Sequence, residues 1–213
     1  MTRGPMAFFS SRKARAGYHH GNLKETLLDA AETLIAERGP MNLALSELAR
    51  MAGVSPAAIY RHYSDLSTLI GAVAKRGFDD FALRLRMANA VSGPGLTGFK
   101  GMGAAYLAFA RERPGAYAAM FSSSMSYSDD ELARAGETAF NTLAEGLASA
   151  LAEQGIDRGS AFTLAIKIWA LAHGIATLTG SGRLSPAIGS TPESMLGEGV
   201  EALVQAAREV RPA

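Results

Sequence analysis

Tyr60, Arg61, His62 and Tyr63 form an unbroken run of hydrogen-bonding side chains directly behind Ala52-Gly53-Val54-Ser55. Phenol, guanidinium and imidazole groups so clustered suit non-covalent contacts with phosphate oxygens and base edges. A second pair lies far downstream. Trp169 and His173 are four residues apart and share one face of any helix that carries them. Catalysis finds little footing: His173 is the only histidine beyond His62, and no Ser-His-Asp set can be argued from spacing. Neither a GxxxxGK[ST] loop nor an HExxH pair occurs. Asp129-Asp130-Glu131 reads as the acidic start of a helix rather than a metal cluster. Adjacent His19 and His20 point in different directions and have no carboxylates at ligand spacing. The chain has no Cys, which removes disulfides, thiolate metal sites and thiol nucleophiles. The expectation is a protein with no catalytic residue, no metal and no cofactor.

The polar run needs a frame that presents it. Leu45, Leu48 and Ala49 fall at helical spacing, Gly53 allows a sharp turn, and Val54 points into the corner. Ser55 is placed to cap a second short helix running from Pro56 to about His62, with Pro at its first position. Two short helices meeting at a Gly-containing turn are the helix-turn-helix arrangement, whose second helix lies in the DNA major groove. Small Ala57 and Ala58 permit close approach, while Tyr60, Arg61, His62 and Tyr63 supply phosphate and base-edge donors. A helical hairpin of no special function also accommodates Ala-Gly-Val-Ser; the polar-aromatic run behind it favours DNA.

Around this core the pattern is helical throughout, with no convincing strand, repeat or low-complexity run. Leu23, Leu27, Ala30, Ala31 and Leu34 make one stripe of a helix from about Asn22 to Glu37, ended by Gly39-Pro40. Ser64 is the expected N-cap of a long helix from about Asp65 towards Ala90, terminated by Gly93-Pro94-Gly95. Further helices are expected over Thr97 to Arg111, Pro114 to Phe121, Asp129 to Gln154, Gly159 to Thr179 and Pro192 to Val210. Ser122 to Ser128 and Gly180 to Gly189 read as loops. The segment from Gly159 to Thr179 is apolar almost all round and must be covered on more than one side.

Bulk properties bound the rest. At 213 residues, with 48% hydrophobic and 19% charged residues, the chain is an ordinary globular length and composition. Net charge is +1, unevenly spread: residues 1–64 carry eight Lys/Arg against five Asp/Glu. A basic head on a near-neutral body suits a polyanion-binding domain joined to a ligand- or partner-binding one. Residues 1–17 lack periodicity and are expected to be a flexible basic arm, either simply solvated or reaching phosphates through Arg12, Lys13 and Arg15. No signal peptide is evident and no uninterrupted apolar run approaches the ~20 residues of a membrane span. A cytoplasmic protein without membrane contact is expected.

From Tyr18 to Phe81 the chain resembles the TetR family of one-component bacterial regulators. The resemblance rests on YHHGNLKETLLDAAETLIAERG, LSELARMAGVSPAAIYRHY and LIGAVAKRGF. Trp169-Ala170-Leu171-Ala172-His173-Gly174 is similar to the Trp-x-x-x-His-Gly signature of one subgroup's sensor domain. The resemblance implies an all-α fold: a three-helix DNA head over 18–64 and a helical ligand-sensing and dimerisation domain over 65–213. It also implies a homodimer through the last two helices and a double-stranded DNA operator. On the family pattern Pro56, Ala57 and Tyr60 lie at base edges, and Arg61, His62 and Tyr63 near phosphates. Two positions depart from that pattern. Ala44 stands where the family usually has a capping Ser or Thr, with Ser46 and Ser55 the nearest hydroxyls that could contact phosphate. Leu66 replaces a usual Lys, which removes about one charge from the salt dependence.

Met102, Tyr106, Phe109, Tyr117, Phe121 and Phe140, with Trp169 and His173, are the candidate effector-binding residues. Aromatic and sulfur side chains suit an adaptable pocket for an apolar or amphipathic small molecule. Such a stripe is more often the signature of a core, with Trp169 packed in it and His173 bonded to a backbone carbonyl. The functional expectation is a transcription factor, most simply a repressor, released from a palindromic operator by such an effector. An effector-independent DNA binder, or a helical enzyme or carrier, are the alternatives.

Overall fold

The computed structural model describes residues 23–122, 130–155, 161–184 and 189–209. Among them every regular element is helical, as the periodicity predicts. The expectations for the arm over 1–17, for His19 and His20, and for most of the Ser122 to Ser128 loop lie outside the described residues.

Three short helices make the head. α1 (Leu23–Arg38) buries Leu27, Leu28, Ala30, Ala31, Leu34 and Ile35. Gly39, at φ 80°, ends it by donating its N–H to the Ile35 carbonyl at 2.8 Å. A single 3-10 turn follows over Pro40–Asn42. The periodicity gives no hint of it, because three residues are too few to show a repeat. α2 (Leu45–Ala52) buries Leu48 and Ala49, and α3 spans only Pro56–Ile59. Residues 60–62 continue as turns, with His62 and Tyr63 both donating to the Ile59 carbonyl. The second helix is thus shorter than the seven residues expected.

α4 (Leu66–Ser92) is the spine of the molecule and packs against α1 and three later helices. Its cap is Asp65, not Ser64: the Asp65 carboxylate accepts the Thr68 N–H at 2.8 Å. Ser64 supports that cap by donating its hydroxyl to the same carboxylate at 2.9 Å. A charged acceptor at a helix start is the stronger cap because it also meets the positive end of the helix dipole. α5 (Gly95–Glu112), α6 (Pro114–Met120) and α7 (Asp130–Glu153) surround α4. α8 (Ala161–Gly180) and α9 (Pro192–Glu209) pack on one another and on α5.

α8 is long and apolar enough to cross a membrane by length and composition alone, although Lys167 and His173 interrupt its apolar run. Here its Leu164, Ala165, Ile168, Ala172 and Ile175 are buried, and the helix lies against α5, α7 and α9. Its other face leaves Phe162, Ile166 and Leu178 exposed.

The head sits on the body through charge as well as apolar packing. Arg76 of α4 reaches Asp29 at 2.7 Å, Glu32 at 2.8 Å and Glu25 at 3.2 Å, all on α1. Arg113, just before α6, grips both oxygens of Glu32 at 2.5 and 2.7 Å and Asp80 at 2.8 Å. Burial acts to raise the Glu32 carboxyl, but the hydrogen bonds and charges of Arg113 and Arg76 outweigh it and hold it below the ordinary carboxylate range. Two residues later, Gly115 faces the Glu32 carbonyl so closely that a Cβ there would collide with it. A bare glycine is what lets α6 touch α1.

Candidate DNA-binding head and ligand pocket

The turn between α2 and α3 has the geometry that its sequence asks for. Gly53 adopts the left-handed conformation at φ 67°, ψ 29°. Val54 N–H closes on the Ala49 carbonyl at 2.9 Å and Gly53 N–H on Arg50 at 3.3 Å, the paired bonds of a Schellman ending. Ser55 caps α3 differently from the expectation. Its side chain makes no capping bond, and its backbone carbonyl accepts the Ala58 N–H instead. Ala44 likewise starts α2 with no side-chain cap, and Ser46 does not replace it.

α3 separates its two faces sharply. Ile59 is fully buried and anchors it, while Ser55, Pro56, Ala57, Tyr60, Arg61 and His62 are exposed. Tyr60 keeps 56% of its surface despite its size. The side chains of Tyr60, Arg61 and His62 make no hydrogen bond or ion pair with any described residue. A row of unpaired donors and acceptors on the turn that directly follows a short helix is chemically competent to meet an external polar surface.

Tyr63 is the correction. The family pattern puts it with the phosphate contacts, but only 3% of it is exposed. Four residues beyond Ile59, it falls on the same inward face, and its ring joins the core cluster. Its hydroxyl is buried with no hydrogen-bond partner among the described residues, beside the charges of Glu25 and Arg76. Burial, then the Glu25 charge, pushes that phenol up to about 12. Leu66 also turns inward, so hydrophobic packing occupies the position of the expected cation. Arg50 of α2 is also exposed on this head, its guanidinium 3.8 Å from the Glu47 carboxylate.

The body holds a cavity of about 240 Å³ between α4, α5, α7 and α8. Four of the expected effector residues line it: Tyr106, Phe121, Phe140 and Trp169. Phe78 and Phe81 of α4 add two further rings, and Gly136, Glu137, Ala139 and Leu143 form the α7 side. Gly136 and Ala139 escaped the sequence reading because small residues on a helix give no sign of which face is hollow. Met102 and Phe109 are core instead: Phe109 is fully buried, 5.2 Å from the Phe81 ring and 5.4 Å beneath the Arg84 guanidinium.

Tyr117 and His173 stand behind the cavity as a polar wall. The Tyr117 hydroxyl is 2.7 Å from His173 Nδ1, and the Tyr106 hydroxyl is 3.3 Å from both. Trp169 and His173 are near neighbours at 6.3 Å between ring centroids, as their spacing implies. The expected bond from His173 to a backbone carbonyl does not form; the tyrosines take its place. Burial lowers the His173 pKa, which favours the neutral ring, and raises both phenols above their ordinary range. Neutral groups bonded to one another make a wall that stays closed without help from water.

Comparisons with known proteins agree with this architecture. The family described as "Bacterial regulatory proteins, tetR family" matches residues 27–73. "Tetracyclin repressor-like, C-terminal domain" matches residues 99–206, about half of the chain. A protein of unknown function from a Rhodococcus species has a similar structure, with a TM-score of 0.76 and 28% identity, covering 90% of this chain and 98% of its own. PfmR, a TetR family regulator from Thermus thermophilus, shares the fold at a TM-score of 0.64 and 16% identity, over 84% of this chain and 97% of that one. Among sequences, the uncharacterized HTH-type transcriptional regulator Rv0681 of Mycobacterium tuberculosis is 27% identical over 75% of this chain and 71% of its own length.

A helix-turn-helix head joined to an all-helical C-terminal domain defines a DNA-binding transcriptional regulator. The chain belongs to the TetR family of such regulators.

Proposed function

We propose that this regulator binds a palindromic operator as a homodimer and that a small molecule in the 240 Å³ cavity releases it. The observation that carries the reading is the outward, unpartnered surface of α3 and of the turn behind it, Tyr60 to His62. In this reading Pro56, Ala57 and Tyr60 meet base edges, while Ser46, Ser55, Arg61 and His62 meet phosphates. The uncapped amides at the start of α2 offer a further anion contact. The head is assigned to residues 18–64, the sensor and dimerisation domain to residues 65–213. The Trp-x-x-x-His-Gly subgroup is the natural place for the sensor, since Trp169 lines the cavity and His173 backs it.

The dimer is assigned to α8 and α9. Phe162, Ile166, Ala170, Gly174 and Leu178 follow one another at four-residue spacing along α8, which is a packing ridge. A Cβ on Gly174 would meet nothing within the chain, so the close approach that a small residue allows is left for a second copy. In the dimer each recognition helix enters a major groove on one face of the duplex, with half-site centres ~34–36 Å apart or a multiple of that.

α6 connects the two activities. Tyr117 contacts His173 on the pocket side, and Gly115 and neighbouring Arg113 contact Glu32 on the head side. A ligand that moves α6 therefore moves α1 and changes the spacing of the heads. It can do so only as far as it binds the released state more tightly than the DNA-bound state. An effector-independent DNA binder would have no use for the cavity, and the aromatic lining supports the effector reading.

The test is selection of random duplexes by the full-length chain, followed by mobility shift. A symmetric enriched sequence, bound by two chains, is expected. No enriched palindrome even at low salt would overturn the reading.

A further inference from the structure

The lining of the cavity points to the charge of what enters it. Among the described residues six aromatic rings line the space, from Phe78, Phe81, Tyr106, Phe121, Phe140 and Trp169, and no basic side chain does. One charged residue among them does: Glu137 on α7. Glu137 is exposed where it borders the cavity, and its side chain has no ion pair or hydrogen bond with a described residue. The hydroxyls of Tyr106 and Tyr117 and the His173 ring partner one another.

Aromatic faces are negative, and an organic cation over them is attracted by their quadrupoles. A carboxylate beside the rings adds to that preference and repels an anion. A wall of rings with a single carboxylate therefore discriminates by charge, where rings alone would sort ligands only by size and shape. Size is bounded too: at about 240 Å³ the cavity exceeds the ~150 Å³ that holds benzene, so a molecule of one or two rings fits.

Resting on the effector-pocket reading above, we propose that the ligand is a small organic cation, an amine on a one- or two-ring apolar frame. Its rings lie among Phe78, Phe121, Phe140 and Trp169, and its ammonium sits at Glu137. On the α7 side Gly136 lies against the Phe78 ring, close enough that an added Cβ would touch it.

Calorimetry on the full-length protein tests this with three probes of one shape: 1-naphthylmethylammonium, 1-naphthylmethanol and 1-naphthoate. The ammonium is expected to bind about tenfold more tightly than the alcohol, and the carboxylate least. Glu137→Gln is expected to erase the difference between ammonium and alcohol. Gly136→Leu, which fills the cavity and favours the helix, is expected to abolish binding of all three. If the alcohol binds as well as the ammonium, and Gly136→Leu still removes it, the pocket stands and the cationic ligand is overturned. If Gly136→Leu leaves binding intact, or if no probe binds, both the cationic ligand and this pocket as its site are overturned.

Discussion

The Tyr117 hydroxyl lies 2.7 Å from His173 Nδ1, and this contact joins α6 to α8 at the back of the aromatic cavity. Tyr117 also packs its ring against Phe121 at 4.9 Å, and Phe121 lines the space. The residues at the other end of the same seven-residue helix touch the head.

Tyr117→Phe removes that hydroxyl and leaves His173 Nδ1 with Tyr106 at 3.3 Å. A loss of about 1 kcal/mol is expected from one partly buried hydrogen bond, readable as a lower denaturant midpoint with an unchanged slope. Ligand affinity is expected to change with it, while DNA affinity in the absence of ligand stays close to that of the parent.

The two tyrosines of the recognition segment are expected to behave oppositely. Tyr60→Ala abolishes sequence preference in a mobility-shift assay without affecting the fold, since Tyr60 is exposed. Tyr63→Phe leaves operator affinity unchanged and stability equal or higher, because the hydroxyl it removes is buried with no hydrogen-bond partner among the described residues. Lost DNA binding in a folded Tyr63→Phe protein would return that residue to the interface. Arg61→Ala should weaken binding to all sequences and reduce the salt slope by about one.

Those contrasts mark how far the sequence can be read. The helical pattern, the Gly53 turn and the exposed Pro56, Ala57 and Tyr60 are all legible, because periodicity and turn chemistry are local properties. Tyr63 is harder, although Ile59 and Tyr63 at four-residue spacing hold the clue: a run of donors draws attention to chemistry and away from its helical phase. In the body, Tyr106, Phe121, Phe140 and Trp169 are legible as pocket candidates, whereas Met102 and Phe109 fill the core. Which aromatic faces a void depends on how helices distant in sequence cross, and small residues such as Gly136 set that silently. The Asp65 cap and the Glu32 cluster depend on single side-chain contacts that no pattern records.

Glu32 supplies a pH test. Its pKa is depressed on folding, so its stabilising contribution is full above the ordinary value of 4.5 and is lost as pH falls through the lower folded value. Glu32→Gln is expected to cost about 2 kcal/mol at neutral pH, since it leaves Arg113 and Arg76 short of a charged partner. The stability gap between parent and variant should hold down to about pH 5 and close below it. A gap that does not narrow on acidification would show that the carboxylate charge is not what holds α1 to α6.

Gly174→Leu addresses the assembly. A side chain there has open space within the chain, so the variant should fold with an unaltered midpoint. It is expected to halve the mass measured by light scattering and to lose operator binding. An intact dimer would move the interface off the α8 ridge.

The central claim is that two heads grip one symmetric duplex at a spacing set by the body beneath them. The chain has no Cys, so Met51→Cys, on the exposed surface of α2, can carry a single spin label. Pulsed dipolar spectroscopy on the operator complex should give one narrow distance compatible with recognition helices ~34–36 Å apart or a multiple of it, and a shifted, broader distribution when ligand is added. A complex that holds one label per duplex, with no dipolar partner, would contradict the account.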